Sequence, residues 1–334
     1  MKRNADHSLL DHAKQCKNDE FYTQLSDIER ELQHYKNCFK DKIVYCNCDD
    51  PRKSNFFRYF IREFQSLELK KVVASCCGSI ESDLFSDFHS GFYYEYSGIG
   101  KTKPDFNDIT YFKGNGDFRS SECLELLEKS DIIVTNPPFS LFREFISFVI
   151  KYEKRFLVIC NINAITYKEI FNLIKSNKAW MGVNMGRGIS GFIVPDNYPL
   201  YGLETKVNEN GERIVSPNNC MWLTNLDIPI RHEFIPLTHT YTGNEDDYQH
   251  FDNFDAINVD RTQDIPRDYI GAMGVPITFL HKFNPEQFEI IRFRKGNDDK
   301  DLRINGKSTY FRILIRNRNP LPTHGLMSPL CSPS

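Results

Sequence analysis

Asp131-Ile-Ile-Val-Thr-Asn-Pro-Pro-Phe-Ser140 is an apolar run that passes directly into an asparagine, two prolines and a phenylalanine. Asp131–Thr135 reads as a short buried strand bounded by turn residues. Asn136-Pro137 alone is a common turn signal. Two successive prolines do more: each lacks an N–H and has a fixed φ, so the backbone stays extended and its carbonyls form a rigid acceptor array at the strand end. Asn136 adds a side-chain oxygen and Phe139 a ring face.

Outward from this stretch, strands and helices alternate. Lys42–Cys46, Lys71–Cys76 and Arg155–Cys160 read as strands, and Ser54–Phe64, Glu122–Lys129, Ser140–Lys151 and Thr166–Lys175 as helices. Ahead of them Leu25, Ile28, Leu32, Tyr35 and Phe39 recur at steps of three and four, one amphipathic helix with Ser26 and Asp27 as candidate caps. The alternation implies βαβ units and an α/β fold with a Rossmann-like parallel sheet covered on both faces. Ligands in such sheets sit beyond the carboxyl ends of the strands. Asn47–Asp50, Gly114–Phe118 and Asn136–Phe139 all lie where they could reach that edge. Farther on, Gly191–Pro195 and Cys220–Leu226 look like strands, followed by acidic loops and short mixed elements.

A chain of 334 residues suits a large domain plus a smaller one. Its balance of 40% hydrophobic and 26% charged residues excludes disordered, collagen-like and coiled-coil classes. Ten cysteines are scattered in pairs such as Cys46/Cys48 and Cys76/Cys77, which is neither a disulfide framework nor a zinc spacing. They are expected to be reduced thiols in a cytoplasmic protein. No metal site is expected either, since His232/His239 lack ligand spacing. The polar Met1–Asp19 and the lack of any apolar run near ~20 residues speak against a leader or a membrane span.

An exocyclic amine fits the acceptor array. The amino nitrogen of adenine is a poor nucleophile because its lone pair is delocalised into the ring. Accepting its two hydrogens at the Asn136 side chain and the Pro137 carbonyl would favour a pyramidal nitrogen, with Phe139 stacked on the base. Such a base is unreachable inside a duplex and must be flipped out. With a methyl sulfonium as electrophile, catalysis is mostly positioning and electrostatics.

Asn136-Pro137-Pro138-Phe139 resembles the catalytic motif of amino-methylating enzymes that use S-adenosyl-L-methionine. The series Asp19–Glu29, Cys46–Pro51, Gly116–Arg119, Ala164–Phe171, Trp222–Pro229, Gly274–Ile277 and Asn284–Ile290 resembles, in order, the EcoRI-type adenine-specific DNA methyltransferase family. The resemblance implies a seven-stranded methyltransferase sheet with a reversed hairpin and a C-terminal target-recognition domain, divided as residues 1–230 and 231–334. It also implies a cofactor site. Tyr22 and Thr23 are contact candidates in the segment that closes over the methionine end, and Cys46–Pro51 takes the place of the first cofactor loop without its usual glycines. Asp49 and Asp50 would offer carboxylates there, a solvated turn before Pro51 being the equal alternative. Asp117 resembles the residue that bonds the cofactor adenine, with Phe118 packed near it. The ribose ligand is unassigned; Glu81 and Asp83 are weak candidates.

Gly186-Arg-Gly-Ile-Ser-Gly191 matches a dinucleotide-binding pattern, but a strand rather than a helix follows it, so no helix N-terminus is available to hold a pyrophosphate. A flexible glycine hairpin is expected, with Lys178 and Arg187 as candidate phosphate contacts. Trp222 is either a second stacking face for the flipped base or an ordinary core aromatic. The net charge of −3 conceals segregation. Tyr241–Asp260 holds six acidic residues and no Lys or Arg, whereas Ile291–Asn319 is strongly basic. In Tyr310–Arg318, Arg312, Leu314, Arg316 and Arg318 alternate with Phe311, Ile313 and Ile315, a half-buried strand whose basic side suits phosphate or merely protects a sheet edge. Asn284-Pro-Glu-Gln287 reads as a helix start. The expected function is site-specific adenine-N6 methylation of double-stranded DNA by a monomer. RNA or protein-glutamine methylation, and a catalytically silent DNA-binding protein of the same fold, are the alternatives.

Overall fold

The computed structural model describes residues 22–78, 90–99, 103–184, 188–194, 205–216, 219–294, 301–309 and 311–321. Contacts divide the chain into two units. One comprises the described residues up to Ala164 with Ala179–Asp227, the other Ile165–Lys178 with the described residues from Ile228 onward.

Strands of the first unit are β1 (Tyr22–Thr23), β2 (Ile43–Cys46), β3 (Lys71–Cys76), β4 (Phe92–Tyr96), β5 (Thr110–Tyr111), β6 (Ile132–Thr135), β7 (Arg155–Asn161), β8 (Trp180–Met181), β9 (Phe192–Val194), β10 (Thr205–Val207), β11 (Arg213–Val215) and β12 (Cys220–Thr224). Its helices are α1 (Leu25–Leu32), α2 (Asn55–Arg62), α3 (Ser121–Lys129) and α4 (Phe142–Lys151). The large sheet runs β5-β4-β3-β2-β6-β7-β12-β8. Only β3, β2, β6 and β7 are parallel; β4 and β5 on one flank and β12 and β8 on the other are antiparallel. Among the described residues the sheet is therefore mixed and eight-stranded, where a parallel sheet of seven strands with one reversed hairpin was expected. Val44, Ile132, Ile133, Val134 and Phe156–Ile159 are fully buried, which accounts for their unbroken apolar runs. A second sheet, β1-β9-β11-β10, is antiparallel throughout.

The long N-terminal helix is shorter than its periodicity suggests. α1 stops at Leu32 and continues as a 3-10 turn over Gln33–Cys38, and Gln24 rather than Ser26 or Asp27 stands at its N-cap. Asp27 turns inward instead, accepting from Ser190 N at 2.7 Å and from Ser190 Oγ at 2.9 Å. Burial still pushes this carboxyl up. One helical turn away, Glu31 accepts from Val183 N, Asn184 N and Tyr35 Oη at 2.8–2.9 Å. Gly188 O also receives Arg30 Nη2 at 3.0 Å. Gly188–Gly191, expected as part of a flexible hairpin, is thus pinned to α1.

In the second unit, α5 (Lys168–Lys175) accompanies β13 (Ala256–Asn258), β14 (Ala272–Pro276), β15 (Phe288–Arg294), the hairpin β16 (Arg303–Ile304) and β17 (Lys307–Ser308), and β18 (Arg312–Asn317). α5 continues the βα alternation in sequence yet packs here, with Phe171 5.3 Å from the Phe293 ring. The sheet order is β13-β14-β18-β15. β18 is accordingly central rather than an edge: Ile313 and Ile315 are fully buried on one face, and on the other Leu314 packs with Phe251, Ala256, Ala272 and Leu302. Asn284–Gln287 is one turn and not a helix. Asn284 Oδ1 accepts Glu286 N at 2.8 Å, after which the apolar alternation of Phe288–Arg294 takes over as β15. No described helix is long and apolar enough to cross a membrane.

Candidate cofactor and amine site

At the carboxyl ends of β2, β3 and β6 lies a pocket enclosing about 740 Å³, mouth included. Tyr22, Asn47, Cys48, Asp49, Asp50, Cys76, Cys77, Gly116, Asp117, Phe118, Asn136, Pro138 and Leu141 line it. Three segments separated along the chain, Asn47–Asp50, Gly116–Phe118 and Asn136–Pro138, are therefore brought together. The topology explains the location: β2 has β3 on one side and β6 on the other, so the connections leave in opposite directions and a crevice opens between them.

Each carboxylate in this wall is differently occupied. Asp50 is buried and receives Arg52 Nε at 2.9 Å and Nη2 at 2.8 Å. Asp117 receives Arg119 Nε at 2.8 Å and Nη2 at 2.7 Å. Both are fork-to-carboxylate pairs from a residue two positions on. Arg52 also lies over the Phe92 ring at 4.5 Å and Arg119 over Phe118 at 5.3 Å. Asp49 accepts from Ser54 Oγ and Thr135 Oγ1, both at 2.6 Å, and burial raises its pKa from 3.8 to about 6 against the opposing effect of those bonds. Neither the two arginines nor the lining thiols were singled out from sequence. The Asp-x-Arg spacing in Asp50-Pro51-Arg52 and Asp117-Phe118-Arg119, and the position of Cys76-Cys77 at a strand end, were the available signals.

Gly116 is required where it stands. Its φ is +74°, and a Cβ there would lie 2.8 Å from Cys76 O and 3.0 Å from Gly91 Cα. Of the motif itself, Pro137 is buried, while Asn136, Pro138 and Phe139 are half-buried. Pro138 O accepts Leu141 N at 3.1 Å, turning the chain into α4. The Phe139 ring meets Phe192 of β9 edge-on, 5.9 Å between centroids. β9 pairs with β1, so Tyr22 in the wall and Phe139 are linked through one strand. Thr23 is buried, with its carbonyl bonded to Asn55 Nδ2 at 2.8 Å, and lies outside the pocket wall.

The remaining candidates lie elsewhere. Trp222 is 1% exposed in β12 and packs edge-on against Phe56 at 6.0 Å, so it is a core aromatic and offers no face to a base. Arg187, Glu81 and Asp83 lie outside the described residues, and Lys178 is exposed. Arg312 is committed to Asn258 Oδ1 and Asp260 Oδ1, each at 2.9 Å. Arg316 is half exposed, 3.9 Å from the similarly exposed Glu289 across the strand pair.

An S-adenosyl-L-methionine molecule suits this wall. The acidic groups match hydroxyl and ammonium donors, and Tyr22, Phe118 and Leu141 supply apolar cover.

The family model described as adenine-specific methyltransferase EcoRI matches residues 9–318. The chain is 62% identical over 322 residues to the Type II methyltransferase M.EcoRI of Escherichia coli, covering 95% of this chain and 99% of that one. It is 36% identical to the Type II methyltransferase M.MgeORF184P of Mycoplasma genitalium and 35% to M.MpnI of Mycoplasma pneumoniae, each covering 92% of this chain and 98% of the relative. No solved structure matches the chain.

Proposed function

The chain belongs to the adenine-specific EcoRI methyltransferase family, and from that premise we propose that it methylates N6 of an adenine in a specific duplex DNA site, with S-adenosyl-L-methionine as donor, as the modification enzyme of a restriction-modification system. The observation that carries this reading is the single pocket wall shared by Asn136, Pro138, Tyr22, Asp50, Asp117 and Phe118. When bound, the donor would supply an electrophilic methyl group on a sulfonium.

Asp50 and Asp117, each steadied by its arginine, hold polar groups of the donor, and Phe118 and Tyr22 cover its apolar parts. Asn136 Oδ1 and the Pro137 carbonyl would accept the two amine hydrogens of an extrahelical adenine, leaving the nitrogen lone pair free. Taking up that methyl group would make the nitrogen cationic, and its surplus proton would be lost from the side held by Asn136 and Pro137. Phe139, braced by Phe192, stacks on the base. No acid or base is needed before the transfer, so orientation supplies most of the acceleration. The second unit, with the basic Ile291–Asn319 segment, is assigned to target recognition.

Purified protein should transfer labelled methyl from the donor to duplex DNA, and Asn136→Ala should lower the rate by ~10²–10³-fold, the effect of losing one aimed polar contact in a transition state. Unimpaired transfer by a folded Asn136→Ala protein would remove Asn136 from this role. Labelling of RNA or protein in preference to DNA would overturn the substrate assignment.

A further inference from the structure

We propose that Asp49 is a positioning residue that holds the end of β6, and hence Asn136, in place through Thr135, and that it does not bind the donor. This rests on the methyltransferase reading above.

The sheet itself leaves this job undone. β2 pairs with β6 only at Val44↔Ile132 and Tyr45↔Ile133, so the ladder on that side ends two residues before Thr135. On the other side Thr135 still pairs with Val158 of β7. Where β2 and β6 part, the crevice opens, and the strand end carrying Asn136 would be held from one side only. Asp49 spans that gap. Its Oδ2 accepts from Thr135 Oγ1 and its Oδ1 from Ser54 Oγ, both at 2.6 Å and both buried. Its own N–H donates to Ser75 O at 2.9 Å, at the end of β3. Ser54 Oγ in turn accepts Phe57 N at 3.2 Å and caps α2. One carboxylate thus ties the ends of β3 and β6 to the start of α2.

These are short hydroxyl-to-carboxylate bonds, the strong class. They occupy both oxygens of a side chain only 6% exposed, next to a Thr135 that is fully buried. Asp50, one residue on, is the carboxylate of this pair whose partner is a half-exposed arginine. Because a displacement of about 1 Å at a reacting group costs on the order of 10²-fold in rate, a tether one residue from Asn136 acts on the chemical step rather than on donor affinity.

Single-turnover methyl transfer to duplex DNA, calorimetry with S-adenosyl-L-methionine and thermal unfolding, applied to Thr135→Val, Thr135→Ser, Asp49→Asn and the Asp49→Asn/Thr135→Val double variant, test this. Thr135→Val should lower the transfer rate at least ~10-fold while donor affinity stays within ~2-fold; Thr135→Ser, which keeps the hydroxyl, should restore the rate. Asp49→Asn should fall in the same sense. The double variant should fall no further than the slower single one, as expected for two residues acting through one contact. A large loss of donor affinity in Asp49→Asn with Thr135→Val unaffected would make Asp49 a ligand and overturn the proposal, as would full transfer rates in both single variants. Wild-type protein that binds donor but methylates no DNA would overturn the methyltransferase reading, and this proposal with it.

Discussion

Asp49 makes a thermodynamic prediction separate from catalysis. Its folded-state pKa is about 6 against 3.8 in the absence of structure, because burial outweighs the two hydroxyl bonds. A carboxyl whose pKa is raised on folding binds its proton more tightly in the native state. Its contribution is fully present below about pH 4 and is lost as pH rises through about 6. The full difference is roughly 2 pKa units, or about 3 kcal/mol at 1.36 kcal/mol per unit. Integrating the linkage relation, about 2 kcal/mol of it falls between about pH 7.5 and about pH 4.5. Asp49→Asn removes the titration while nearly preserving shape. Urea unfolding of both proteins across that range, followed by fluorescence, gives the difference in unfolding free energy at each pH. All other groups titrate in both proteins and cancel. The wild type should gain on Asp49→Asn by about 2 kcal/mol as the pH falls over that interval. A difference that is flat, or that moves in the variant's favour, would show that Asp49 is not held in a desolvating environment.

Gly116→Ala forces a left-handed backbone on alanine, about 1–2 kcal/mol, and presses a methyl group against Cys76 O; calorimetry should show donor affinity reduced at least ~10-fold, and an unchanged isotherm would contradict the pocket geometry. Trp222→Phe should leave duplex affinity unchanged, because the ring is sealed in the core. Its indole Nε1 meets no acceptor among the described residues, so losing that donor, worth about 1–3 kcal/mol, offsets the lost contacts; weaker DNA binding at unaltered stability would return Trp222 to the base. Arg316→Ala should weaken duplex binding and reduce the salt slope by about 1, while Arg312→Ala should lower stability by about 1–2 kcal/mol through loss of its bonds to Asn258 and Asp260. Filter binding over a salt series and thermal melts separate the two, and identical behaviour would contradict the difference in their surroundings.

Local pattern alone was enough for much of the first unit. Lys71–Cys76 follows from its apolar run and stands in the structure as read, and the helix read over Ser54–Phe64 forms as Asn55–Arg62, with Ser54 as its cap. Patterns were less decisive where the neighbour sets the outcome. Arg312–Asn317 alternates like an edge strand, yet Leu314 on its nominally polar side is covered by Phe251 and Leu302. Asn284–Gln287 has a helix-start sequence, but the strand after it leaves room for one turn only.

What the sequence by itself determined is the chemistry available: the rigid acceptors of Asn136-Pro137-Pro138, the carboxylates Asp49, Asp50 and Asp117, and the strand ends that carry them. Which carboxylate faces which partner was decided by tertiary structure, because hydrogen bonds such as Asp49 to Thr135 join residues 86 apart along the chain. No local preference encodes such a bond. It exists because β2 and β6 lie side by side and part at the same point, and that is a property of the folded sheet.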